Sequence, residues 1–170
     1  MSPTPRVLTA RAFFANAYLA ELAGESMFRL LVCLTRAEEV RRCWQVLLGL
    51  ECQTQQMLLD HVPVVRGRRI QRLGAKVVGS MYGLILGILP SRVAMRWLAS
   101  SAAPYLTDYT RFAQQCAPED HWLGAYLRDH EQAIMACAEH ACNAHWNAAT
   151  GEIMRLLLGR PRIPASSDRL

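Results

Sequence analysis

The chain has 170 residues, of which 52% are hydrophobic and 19% charged, with 19 Lys and Arg against 14 Asp and Glu for a formal net charge of +5. Those proportions give one domain with an ample core and exclude a disordered, collagen-like or low-complexity chain. No uninterrupted apolar run reaches the roughly 20 residues of a membrane-spanning helix, and the charge imbalance is too mild to argue for nucleic acid. The polar start MSPTPR has no apolar segment behind it, so a cytoplasmic protein is expected. Six cysteines, at 33, 43, 52, 116, 137 and 142, form no CxxC pair and fall in segments of helical spacing, which predicts buried, reduced thiols.

Almost nothing in the sequence alternates at period two, whereas four long segments carry apolar residues at helical spacing, so the expected fold is all-α. The first helix runs from about Val7 to Leu34 on a stripe that includes Phe13, Ala17, Gly24, Met27 and Leu31. The second, from about Arg36 to His61, buries Val40, Trp44, Leu47, Leu50 and Leu58, and Pro63 stops it.

Residues 64–89 open with Arg66, Arg68, Arg69, Arg72 and Lys76 and end in an uncharged stretch with Gly79, Gly83 and Gly87 at four-residue spacing, closed by Pro90. Small residues at that spacing let two helices approach closely, and tight packing inside a bundle is the simpler reading. The alternative is a short helix dipping into a membrane surface, its arginines meeting anionic lipid, which would make the protein membrane-peripheral through residues 66–89.

A third long helix, about Ser91 to Cys116, carries Leu98, Tyr105, Tyr109 and Phe112 on one side, with Pro104 expected to kink it. The fourth, about Glu119 to Asn147, buries Leu123, Leu127, Ile134, Cys137 and Ala141, and its apolar spacing continues past Gly151 through Ile153 and Leu156. Residues 1–158 therefore read as a single helical-bundle domain, and residues 159–170 as a loose tail. Connections of a few residues within each helix pair and of about 28 between the pairs predict two antiparallel hairpins joined by a long crossover that contains a short glycine-rich helix.

A helical projection places several polar groups among apolar ones. Glu51 falls between Val40, Trp44, Leu47 and Leu58, with Thr54 a turn further on. An unpaired carboxylate there would cost several kcal/mol or stay protonated, so a partner or a metal is expected. His130 lies between Leu123, Ile134, Cys137 and Ala141, flanked by Glu131; Glu21 sits in an apolar sector of the first helix, and Glu25 a step toward its polar side. The third helix supplies Tyr105 on its inner face and Asp108 at its edge. Glu21 and Glu51 are each about 15 residues from the first turn, and Tyr105 and His130 each about 12 from the second, which puts both pairs roughly 19 to 23 Å from their turns. One polar layer in mid-bundle is predicted. Each residue also has a plainer reading, as a satisfied core histidine, a helix-to-helix acceptor, a core aromatic, or a surface pair of Glu25 with Arg29. His61 points inward but lies about 15 Å along its helix from Glu51. His140, His145, Glu139 and the cysteines at 137 and 142 share no single face and read as structural or solvated. No GxSxG, HExxH or phosphate-cradling glycine loop occurs.

The order of Glu21 or Glu25, Glu51, the 28-residue crossover and HEQA at 130–133 resembles the ferritin-like superfamily of carboxylate-bridged di-metal bundles. Within it, LAGES at 22–26, ECQT at 51–54 and the glycine-rich crossover are similar in layout to the demethoxyubiquinone hydroxylases, membrane-surface di-iron enzymes, over residues 10–145. The resemblance implies a four-helix bundle with Glu21 or Glu25, Glu51 and Glu131 as metal carboxylates and His130 as a nitrogen ligand. Thr54 and Ile134 stand where the family's ExxH histidines would be.

Three functions follow as expectations. The first is an oxidoreductase holding iron or manganese and oxidising a small, mostly apolar molecule. The second needs no metal: Glu51 and His130, with Tyr105, act as acid and base in a dehydration, isomerisation or cyclisation. The third is a non-catalytic bundle, as a homodimer or membrane-associated, whose inner polar residues fix the packing.

Overall fold

The computed structural model of the chain describes residues 9–62 and 68–159. Among them are six helices and no strand: α1 (Ala10–Leu34), α2 (Glu38–His61), α3 (Arg69–Gly87), α4 (Ser91–Gln115), α5 (His121–Cys142) and α6 (Trp146–Leu158). The expectations for Val7, Pro63, Arg66 and the tail from residue 160 lie outside the described residues.

Local chemistry sets the boundaries. The Thr9 side chain accepts from the Ala12 amide to start α1, and the Thr35 amide closes it on the Leu31 carbonyl. The side chain of Gln71 accepts from the Arg68 amide at the start of α3. Pro90 caps α4, and Pro104 sits inside that helix without ending it.

α1 and α2 form one antiparallel pair, shown by Gln55 bonding the Glu21 carbonyl at one level and Phe28 stacking on Trp44 at another. α4 and α5 form the second, with Gly124 against Ala113 and Cys142 against Arg92. α5 runs antiparallel to α2, with the Cys43 and Cys137 Sγ atoms 3.4 Å apart near one end and Thr54 meeting His130 further along. α3 lies parallel on α1, and its glycines make that possible. A methyl group on Gly79 would lie 2.0 Å from the Ala23 carbonyl oxygen, and one on Gly83 2.8 Å from that of Met27. Close packing of the glycine stripe is thus the arrangement found.

Two expectations are corrected. The fourth long helix is not continuous: it breaks at residues 143–145, where Ala144 adopts φ 59°, and α6 turns back to pack on α5 and α2. Nor are all the cysteines buried, since Cys33 and Cys52 are exposed; all six are free thiols.

The core falls into two apolar clusters. One gathers Phe28, Trp44, Leu47, Leu50, Met95, Ile134 and Ile153; the other Phe14, Leu22, Leu58, Tyr109, Leu123 and Leu127. On α2 and α5 the change from one cluster to the other falls where Glu51 with Thr54, and His130 stand, and on α1 it falls just past Glu21, between Leu22 and Met27. The polar layer divides the core.

Candidate functional site

Glu21, Glu51 and His130 reach this layer from three different helices and are 2%, 4% and 1% exposed. One ligand atom from each lies within 4.8 Å of the others, so the group could hold a metal ion. His130 Nε2 is 3.5 Å from Glu21 Oε2 and 3.7 Å from Glu51 Oε1. Glu21 Oε2 is buried without a hydrogen bond, as is the Tyr109 hydroxyl. Such atoms are costly unless a further group completes them.

The other face of the imidazole is held by Thr54, whose Oγ1 is 2.9 Å from His130 Nδ1. That hydroxyl donates its single proton to the Leu50 carbonyl at 3.0 Å, so toward His130 it acts as acceptor. Nδ1–H is thereby held on Thr54, and Nε2 faces the two carboxylates. Tyr126, one turn before His130, adds its hydroxyl 3.4 Å from Thr54 and accepts from Gln53 at 3.3 Å. Gly24 completes the approach from α1, because a methyl group there would lie 2.6 Å from the Glu51 carboxylate.

Burial pushes the Glu21 carboxyl well above its ordinary range, and the adjacent Glu51 carboxylate, accepting its proton, raises it further, against the attraction of His130. Burial also raises Glu51 to about 8, with the bond from Glu21 pulling the other way. Glu131 rises to about 8, again from burial. Two adjacent carboxyls in a dry site cannot both ionise cheaply, and without a cation they share a proton. A bound cation would reverse that logic by favouring both carboxylates.

Beside the cluster is a cavity of about 250 Å³ lined by Glu21, Glu51, His130 and Glu131 together with apolar side chains that include Phe28, Leu98 and Ile134. α3 contributes Val78, Gly79 and Tyr82 to its wall.

Of the residues expected at the site, Glu21, Glu51 and His130 come together and Glu131 lines the same cavity. Glu25 does not join them: it is half-buried and bonds Arg29 at 2.5 Å and Gln55 at 3.1 Å, which answers which of the two carboxylates turns inward. Tyr105 is corrected from an inner position to the rim, since it lines the cavity but is 45% exposed, and Asp108 is exposed. His61 is occupied elsewhere, 2.8 Å from Asp120. Thr54, Tyr126 and Gly24 were not identified as supports from the sequence. Their signal was there: Thr54 is three residues after Glu51 on the same buried face, and Tyr126 four before His130.

No family model, curated protein or solved structure matches the chain. Among the described residues, no helix is long and apolar enough to cross a membrane.

Proposed function

We propose that Glu21, Glu51 and His130 form a single-ion centre of a non-haem iron or manganese oxidoreductase, built in a ferritin-like bundle and acting on a small, mostly apolar molecule in the adjoining cavity. The carrying observation is the convergence of three buried ligand atoms within 4.8 Å, one of them the unpartnered Glu21 Oε2. The order of the helices, two antiparallel pairs joined through α3, supports the bundle reading.

The donor set suits such a metal. One imidazole nitrogen and two carboxylates are the mixed donors of iron and manganese, whereas thiolates would point elsewhere and an all-oxygen set to magnesium or calcium. Three ligands would serve one ion, and the cavity they line would give a small molecule access to it. A bound iron or manganese would supply Lewis acidity and redox exchange with dioxygen. The chain's own residues do the rest: Thr54 fixes the imidazole, Phe28, Leu98 and Ile134 give the cavity an apolar wall, and Glu131, protonated up to about pH 8, can give a proton to a bound molecule.

Protein purified without chelator, or reconstituted anaerobically with Fe(II) or Mn(II), should hold close to one ion per chain. Glu51→Gln and His130→Asn should each weaken metal retention by at least roughly tenfold while circular dichroism stays helical. A wild-type protein that keeps only traces of metal after reconstitution overturns the metal centre. A second reading then stands on a specific observation: Glu51 and Glu131 both line the cavity with carboxyls raised to about 8, as acid/base chemistry near neutral pH requires.

A further inference from the structure

One face of α3 packs on α1; among the described residues the opposite face has no partner. At 100° per residue, Ile70, Leu73, Val77, Met81, Leu84 and Ile88 fall in one sector, and each is exposed, from 51% at Val77 to 84% at Ile88. Gly79, Gly83 and Leu86, on the far side, are the buried ones. A helix with most of its large aliphatic residues in solvent and its glycines inside is inverted relative to an ordinary surface helix.

Charge gives the occupant of this face. From residue 61 to residue 107 the sequence has no Asp or Glu but seven basic residues, Arg66, Arg68, Arg69, Arg72, Lys76, Arg92 and Arg96, so the rest of the chain is net −2. Arg68, Arg69 and Lys76 are exposed at the start of α3, and Arg92 and Arg96 at the start of α4. On α3, Arg69 and Lys76 project to one flank of the apolar stripe, where cations sit when a helix lies in the plane of a bilayer and reach up to the headgroups, whereas Arg72 turns toward the glycine side. A second copy on the same face would set this basic segment against its like. We infer that α3 docks the protein in-plane on the surface of an anionic lipid bilayer, its aliphatic stripe in the acyl boundary and the basic residues on lipid headgroups.

The test is co-sedimentation of the full chain with vesicles of phosphatidylcholine alone and of phosphatidylcholine with about one third phosphatidylglycerol. Binding to the anionic vesicles should be at least roughly tenfold stronger and should weaken as salt rises. Each basic residue near an anionic surface strengthens partition about fivefold, so Arg69→Gln/Arg92→Gln/Arg96→Gln should lose about a hundredfold. Met81→Glu/Ile85→Glu, which alters only exposed side chains, should abolish binding with an unchanged thermal melt. Three results overturn the inference: no sedimentation of wild type with anionic vesicles, equal binding to neutral ones, or binding that survives Met81→Glu/Ile85→Glu. Light scattering that finds a dimer dispersed by Met81→Glu/Ile85→Glu, without vesicle binding, would assign the face to a second copy instead.

Discussion

Thr54 shows how much of the proposed centre depends on a residue that offers no ligand. Its hydroxyl hands its proton to the Leu50 carbonyl and accepts from His130 Nδ1, so it determines which imidazole nitrogen faces the carboxylates. Thr54→Val keeps the shape and removes the acceptor. The variant should bind the metal ion 10- to 100-fold more weakly, the usual effect of losing such a support, and lose about 1–3 kcal/mol of stability from an unpaired buried N–H. Thr54→Ser should recover most of both. Titration with Fe(II) or Mn(II) and urea unfolding measure the two effects, and a valine variant that binds metal like wild type would show that the hydroxyl does not orient the ring. At this scale the sequence was legible where charge contradicted environment. Glu21, Glu51 and His130 are ionisable groups inside apolar stripes, and burial of each is what the helical period requires. Thr54 and Tyr126 sit in such stripes without contradiction, so only their spacing from Glu51 and His130 marked them, and their partners across the helix interface were needed to read it. Tyr105 failed for a related reason: the period gives a direction, but a tyrosine at the edge of a helix interface is half-exposed without violating it.

Among the elements, α3 illustrates a pattern that pointed to packing correctly and α6 one that misled. Glycines four residues apart indicated a close helix approach, and Gly79 and Gly83 meet the α1 backbone at Ala23 and Met27. The two alternatives for this segment concern opposite faces, so close packing inside leaves the outer stripe free. Gly79→Ala should therefore destabilise the fold by more than about 1 kcal/mol, because its methyl would have to displace a backbone carbonyl, not a movable side chain. Gly74→Ala, on the same helix with no atom near the added methyl, should stabilise it by up to about 1 kcal/mol through helix propensity. Urea midpoints of the pair check this, and equal shifts for both would mean that α3 does not rest on α1 as described. The break between α5 and α6 had no such marker. Residues 143–145 contain neither Gly nor Pro, and the apolar spacing runs on past them. What turns the chain is tertiary: Ala149 and Ile153 are fully buried in the cluster around Trp44 and Leu47, and that burial offsets an alanine at positive φ.

For the whole molecule, a polar layer across the middle of the core makes stability depend on protons. Burial raises Glu51 and Glu131 to about 8, against about 4.3 in an unfolded chain. Between those values the folded protein keeps protons that the unfolded chain has released. The metal-free protein is therefore destabilised by these groups as pH rises through that window, by at most about 1.4 kcal/mol per pH unit for each. Below about 4.3 both states are protonated and the dependence vanishes. Glu51→Gln removes one of the layer's raised carboxyls, Glu21 and Glu131 being the others, so in chelator its melting temperature should fall less between pH 5.5 and 8 than that of wild type; carboxylates outside the layer, such as Glu25, cancel in the comparison. A metal ion binds the deprotonated carboxylates, so added Fe(II) or Mn(II) should raise the wild-type melting temperature more at pH 8 than at pH 5.5, and scarcely raise that of Glu51→Gln at either. Parallel pH profiles for the two proteins in chelator would mean that Glu51 is ionised in the fold, and with it would go the dry, proton-sharing layer. The same comparison separates the two chemistries proposed for the cavity, because acid/base use of Glu51 and Glu131 requires the steep pH profile but no response to metal.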